Sequence, residues 1–551
     1  MEKQLKTVTG NKGKGNRMRM RGQSEENRSI NREKYEKWIG FLFLAAAAGM
    51  LILSVRLCFA DGIWYDELFT MGLTGKSFGE AKALTARDVH PPFYYYYVKS
   101  VSQLCLAVFP GANRVIIGKL CSVLPLLGLA AYAVTKVKKH FGWLCAGLFL
   151  FCVIAMPNLP QYTVEIRMYT LAMFLVTAAF LHGYEILCGL AQPDRNNAKD
   201  GLGQKEKKGN AGDWIFLAVY GIMAAYTHYF AAVAVAMVYL FLLVFIIGKG
   251  NTIRKNGIKN WLLCVFCSVL AYMPWMFVVI RQVAQVKESY WILPLTWRTF
   301  GTCVKFLMKP PFGSSVFQVG AAVVLFGIYV GLMLYILWKN RHNEKTVFVI
   351  IAGTGVLAGV VLFGFAASFL LRPVFIVRYM LPAAGCFWLS FAFFVSRAAR
   401  EKWLWWPVLL LVLVIGIGDY RWFRNDETWR RVRMEEVQEA LAQIGPEDIV
   451  ITQFNQVQGV AGYYLENDMY LWNAEPEALI CDIFEDKYFS LSSPEELKRW
   501  VETGKRVWFI GNKEADLLKE WEEEGILSEE KQEFMLEVYW ATLYRLYLDE
   551  G

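Results

Sequence analysis

Long, unbroken apolar runs constrain this chain more than any other feature. A helix needs roughly 20 consecutive apolar residues to cross the hydrocarbon core of a bilayer. The 551-residue sequence supplies such runs repeatedly, the first from Trp38 to Ala60. Its hydrophobic content of 56% and mean hydropathy of +0.31 are too high for a soluble protein of this length. The reading is a polytopic α-helical membrane protein.

Further spans fall near 113–135, 141–157, 169–190, 213–227, 229–247, 261–281, 315–338, 346–370, 379–397 and 403–419, giving about eleven. The stretch Phe93 to Phe109 is also apolar, but it would bury Lys99, which costs several kcal/mol on insertion scales. Laid along the outer face instead, with Pro91-Pro92 setting its first turn, it leaves nearly every compact basic cluster on one side. Those clusters are Lys136 to Lys139, Lys205 to Lys208, Arg254-Lys255, Lys339 to Lys345 and Arg397 to Lys402. Lysine and arginine gather in cytoplasmic loops, so these connections are expected inside. The expectation is a multi-pass plasma-membrane protein with a cytoplasmic amino terminus. Residues 61–112, 158–168, 282–314 and 421–551 would be extracytoplasmic.

Residues 1–37 read as a basic, disordered cytoplasmic tail, and 38–420 as the membrane domain. The net charge of +9 sits largely in that tail and the connecting loops, so it marks topology and no nucleic-acid partner is expected. Beyond 420 the pattern changes. Short apolar strands at 448–454 and 506–511 alternate with helical patterns at 493–504 and 512–525, which reads as an extracytoplasmic α/β domain over 421–551. Ser493-Pro494-Glu495-Glu496 is a strong helix start, with a serine cap, an early proline and acids at the positive end of the dipole. The 11 cysteines mostly sit in apolar runs, and the Cys264/Cys267 pair lacks further ligands, so packing explains them. No phosphate-cradling glycine loop is present.

The chemistry concentrates between Asp61 and Tyr97. Asp66 and Glu67 stand side by side behind Trp64 and Tyr65, followed by His90-Pro91-Pro92 and the tyrosines Tyr94 to Tyr97. Two adjacent carboxylates repel, which raises at least one pKa and suits general-base work. A second group, Glu165, Arg167 and Tyr169, falls in the next outer connection. Arg372 and Arg378 lie at the outer end of a later span, and His228 at a hairpin tip. Solvated loop acids, interfacial snorkelling and an aromatic belt are the plain alternatives for these residues.

An acidic pair just after the first span, then His-Pro-Pro opening an aromatic helix, resembles the GT-C glycosyltransferases. The nearest group is the glycosyltransferase family 39-like branch of protein O-mannosyltransferases and aminoarabinose transferases. The resemblance covers about residues 38–400 and implies a sugar donor on a polyprenyl phosphate, with a protein, lipid or cell-wall glycan as acceptor. It places Asp66 at the catalytic position, with Glu67 as its neighbour. By the same resemblance Glu165 orients acceptor or base, and Arg167, Arg372 and Arg378 contact phosphate. His90, Tyr94, Tyr169 and His228 complete the expected substrate contacts. No cofactor is expected, and the sequence leaves a divalent cation open. The competing reading is a transporter or flippase of lipid-linked sugars, which favours ionisable groups deep in spans and repeat symmetry.

Overall fold

The computed structural model describes residues 33–190, 211–288, 292–398, 402–484, 487–536 and 539–548. Among them, nine helices are long and apolar enough to cross a membrane, from Glu33–Leu57 to Trp406–Leu441, and two shorter apolar helices, Trp143–Ala155 and Ala211–Thr227, accompany them. These eleven helices correspond one to one with the apolar runs of the sequence. The chain is a multi-pass membrane protein. Tyr169–Leu190 and Val377–Ala398 are buried in the centre of the bundle, while Asn251–Ala284 and Ser315–Lys339 expose most of their apolar surface at its rim.

Trp143–Ala155 is short because Gly142, at φ +90°, breaks it from the preceding turn. Residues 144 to 155 are all buried, and the first span crosses them so closely that a Cβ on Gly147 would lie 2.2 Å from the Gly40 carbonyl oxygen. Only glycine permits that approach.

Phe93–Val108 is a 16-residue helix that does not belong to the apolar helices of the bundle. It buries Tyr94, Tyr95, Val98, Lys99 and Ser102 on one face. Lys99 is held inside the protein, its Nζ donating to the carbonyls of Thr74 (3.0 Å) and Lys76 (2.6 Å). The lysine that would be costly in lipid thus ties this helix to the loop before it.

Hydrogen bonds join the four segments expected to share the outer side. Ile166 N–H donates to Glu67, Gln282 Nε2 to Thr85 O, Asn158 Nδ2 to Phe306 O, and Ile63 N–H to Tyr464 Oη. Basic clusters pair at the opposite end: Lys136, Lys139 and His140 with Glu185, and Lys249 with Glu344. The cluster Lys205 to Lys208 and the tail up to residue 32 lie outside the described residues.

The last span does not stop at 420. Lys402–Leu441 is one 40-residue helix, so the expected boundary falls inside it. Its apolar half lies in the bundle, and its charged half runs on beneath the soluble domain. Tyr420 Oη donates to Met50 O, Arg431 Nη2 to Arg56 O (3.0 Å), and Gln438 Nε2 to Asp61 (3.1 Å).

That domain holds a six-stranded sheet in the order β3-β2-β1-β4-β6-β5. Strands β1 (Ile449–Thr452), β2 (Met469–Trp472), β3 (Tyr488–Leu491) and β4 (Val507–Gly511) are parallel, with Val450 opposite Met469 and Ile449 opposite Val507. The longer β5 (Ile526–Leu536) and β6 (Tyr539–Leu548) are antiparallel. Ser493 caps Pro494–Glu502 by accepting from Glu496 N–H, as its sequence indicates. One side of the sheet shares a continuous core with the connections after the first and third spans: Val457, Val460 and Ile480 cluster with Leu68 and Met71 of the one and Ile166 of the other.

Candidate active site

The site is built on Tyr65–Gly75, the helix that opens the connection after the first span. Its first turn places Asp66 and Glu67 near the positive end of the helix dipole. The two carboxylates then diverge. Glu67 turns inward and is almost fully buried, its Oε2 accepting from Trp64 N–H (3.1 Å) and its Oε1 from Ile166 N–H (2.7 Å). Burial pushes its pKa up to about 7, against the pull of Lys119 and of those two backbone donors. The expected rise is present, but its cause is desolvation, not repulsion by Asp66.

Asp66 stays open to solvent at 24% side-chain exposure. Its Oδ2 faces two guanidinium groups, Arg378 Nη1 at 3.1 Å and Arg167 Nη2 at 3.5 Å. Arg167 also donates through Nη1 to the Asp66 carbonyl oxygen (2.8 Å) and is itself buried. Three chain regions, each at the edge of a different span, therefore converge on one carboxylate. Arg167 Nε, Arg378 Nε and Tyr169 Oη are buried there without a hydrogen-bond partner among the described residues. Such groups are costly to leave unmade, and together they offer donors to an incoming anion.

His90 does not stand alone. Its Nδ1 lies 3.1 Å from Asp88 Oδ2. Burial pushes the Asp88 carboxyl up, but His90, the Val89 backbone and Arg167 outweigh it and hold it below its usual value. Gln282 Nε2 donates to Asp88 O and Thr85 O, fixing this loop from the far end of Asn251–Glu288. His228 backs the site: its Nδ1 accepts from Phe230 N–H (3.1 Å), and its ring meets those of His90, Tyr169 and Tyr379. Burial, with the charges of His90, Arg167 and Arg378, pushes its pKa far down, so it is a neutral cap.

The tyrosines divide. Tyr94 is buried and packs against Tyr95 and Tyr97, Tyr96 Oη donates to Phe78 O, and Tyr97 Oη to Cys121 O. Tyr95 is within electrostatic reach of Asp88, Arg167 and Asp66. Arg372 is half-buried in the loop ahead of Arg378. Glu165 is half-buried within electrostatic reach of Arg167, its carboxyl pushed up to about 8 by burial and by Glu67. Sequence reasoning also missed Asp88, Gln282 and Glu477, whose carboxylate accepts from Tyr65 Oη (2.5 Å). Asp88 had a local signal, standing two residues before His90. The other two had none, because they arrive from distant elements. Among the described residues, no three His, Cys, Asp or Glu side chains group as a metal site.

The raised acids carry a pH dependence. Folded values of about 7 and 8 for Glu67 and Glu165 exceed the ordinary glutamate value of about 4.3. The native state therefore holds protons that the unfolded chain has lost, and stability falls as pH rises from about 4.5 to 8. Thermal unfolding of the purified protein should show this slope, and the double variant Glu67→Gln, Glu165→Gln should flatten it. An unaltered slope in that variant would assign the effect to other groups.

Neither a protein-family model nor a curated protein sequence matches the chain. Solved structures do match its fold. ArnT from Cupriavidus metallidurans in the apo state aligns over 92% of this chain and 97% of its own, at 11% identity and a TM-score of 0.56. The same enzyme bound to undecaprenyl phosphate aligns over the same shares at 12% identity and 0.54. Archaeal oligosaccharyltransferase AglB from Archaeoglobus fulgidus, in complex with an inhibitory peptide and a dolichol-phosphate, covers 86% of this chain and 69% of its own, at 10% identity and 0.43. With its bundle of apolar helices and its carboxy-terminal α/β domain, the chain has the fold of ArnT.

Proposed function

We propose that this protein is a glycosyltransferase that moves a monosaccharide from a polyprenyl-phosphate donor to a protein, lipid or cell-wall glycan acceptor, with inversion, at the extracytoplasmic face. The observation that carries the reading is the open carboxylate of Asp66 set between Arg378 and Arg167. A base and an anion clamp in contact are what this reaction needs. The match in fold to ArnT, one structure of which is bound to undecaprenyl phosphate, supports the donor class.

The donor phosphate takes up the two guanidinium groups, and Tyr169 Oη supplies a further donor. That exchange loosens their hold on Asp66 and frees its carboxylate for the acceptor. The acceptor O–H then gives its proton to Asp66 as its oxygen bonds to the sugar C1 from the face opposite the phosphate. The C1–O bond to phosphate breaks, and the departing polyprenyl phosphate leaves with the added charge neutralised by Arg167 and Arg378. Glu67 holds the helix, and His90 is oriented by Asp88.

A flippase would carry the donor across the bilayer intact. Purified protein in liposomes, given a panel of polyprenyl-phosphate monosaccharides together with candidate glycan, lipid and peptide acceptors, should release free polyprenyl phosphate and glycosylate one of the acceptors. An impermeant thiol reagent on the same face should label a Lys519→Cys variant. Movement of uncleaved donor between leaflets would establish the flippase instead.

A further inference from the structure

The two arginines that hold Asp66 come from different connections, and like charges gathered on one carboxylate repel each other. The segments that bear them must therefore be braced from behind. Arg167 lies at the end of a connection closed by its own turns. Leu159 N–H donates to Met156 O, Tyr162 N–H to Leu159 O, Val164 N–H to Gln161 O, and Arg167 N–H to Glu165 O. Tyr162 packs on Tyr169, with ring centroids 5.1 Å apart. A shift at the start of such a chain of turns is carried to its end.

The start is held at Asn158. Its backbone is left-handed, with φ at +62°, a conformation that asparagine adopts more readily than most residues. There one residue reaches three partners. Its N–H donates to Asp419 Oδ2 (3.1 Å), its Nδ2 to Phe306 O (2.7 Å), and its Oδ1 accepts from Lys309 Nζ (3.3 Å). Lys309 pairs in turn with Asp419 Oδ1 (3.4 Å) and lies over the Trp422 ring. Asp419 is buried on the last span, where an unpaired carboxylate would be costly. Beside it, Gly418 is packed so closely that a Cβ there would overlap the Pro311 ring. Phe306 belongs to the helix Trp297–Met308, and Lys309 follows its last turn. The same helix lies against the turn Val377–Met380, which carries Arg378. One element thus reaches both arginine-bearing segments, and the last span anchors it.

We propose that Asn158, Lys309 and Asp419 form a clasp that sets the spacing of Arg167 and Arg378, which makes Asn158 and Lys309 positioning residues for the donor phosphate. This rests on the transferase reading, which it deepens.

Asn158→Gly is the sharpest variant. Glycine keeps the left-handed turn and the bond to Asp419, removes the two side-chain bonds, and alters no charge. In that variant the full-length protein, in lipid nanodiscs, should bind undecaprenyl phosphate about tenfold more weakly, within the range that packed networks transmit. The phosphorus resonance of the bound ligand should move toward its free position. Lys309→Met should lose about as much, and the double variant no more than either alone, because each change opens the same clasp. Lys309→Arg should stay near wild type. Amides of 159–168 and 377–380 should exchange hydrogen faster in Asn158→Gly, with those of the soluble domain unaltered. Wild-type affinity in Asn158→Gly, additive losses in the double variant, or equal losses in Lys309→Arg and Lys309→Met would overturn the clasp. A wild type that binds no undecaprenyl phosphate would overturn the donor reading instead. The exchange pattern would then decide the clasp: faster exchange at both segments upholds it, and wild-type exchange at either overturns it.

Discussion

Asp66→Asn should lower sugar transfer by about 10²–10⁴-fold, the range that a positioned general base contributes. Asparagine keeps the shape and leaves the hydrogen bond from Arg167 Nη1 to the residue 66 carbonyl in place, losing only the ion pairs with Arg378 and Arg167 at 3.1 and 3.5 Å, so the helix should keep its place. Donor affinity should hold or improve slightly, because the guanidinium groups no longer have a carboxylate to leave when phosphate arrives. Glu67→Gln offers the contrast. Its two oxygens serve two backbone N–H groups, and an amide can satisfy only one of them. The cost should appear as about 1–3 kcal/mol of stability, not as a comparable loss of turnover. Turnover and thermal unfolding of both variants separate the roles. Near-normal transfer by Asp66→Asn would remove the base, and a dead but stable Glu67→Gln would exchange the two assignments.

Arg378→Ala should weaken donor binding by about 10–100-fold, since hydrogen bonds to charged groups contribute about 1.5–3 kcal/mol each. Lysine should rescue only part of this, because it lacks the planar fork that engages phosphate twice. Arg378 is the better of the two arginines to test. Its side chain is 22% exposed and, among the described residues, it pairs with Asp66 alone, whereas Arg167 is 5% exposed and also holds the Asp66 carbonyl. Removing Arg167 should therefore cost folding as well as affinity. Equilibrium binding of a polyprenyl phosphate reads the effect. Wild-type affinity in Arg378→Ala would place the phosphate elsewhere.

The spans were legible because hydropathy is written locally, residue after residue. Asp66, Arg167 and Arg378 were legible for a related reason: charged side chains beside apolar runs are costly and call for an explanation. What local reading could not supply was convergence. Gln282 and Glu477 are unremarkable in their own neighbourhoods, and only the folded chain brings them to Asp88 and Tyr65. The boundary near 420 misled because composition changes there while helical structure does not. β5, reading ILSEEKQEFML, carries a run of glutamates that disfavours a strand, and its pairing with β6 overrides that preference.

The unbroken helix Lys402–Leu441 also acts as a clock hand. Each residue of an α-helix turns the chain by about 100° and advances it 1.5 Å. The soluble domain rides on that rotation, so the angle at which it faces the bundle is set by the count of residues beneath it. One residue added to the exposed half would swing Glu477 away from Tyr65 by more than a quarter turn, while the bundle below stayed intact. Phase, more than length, is what this helix measures out.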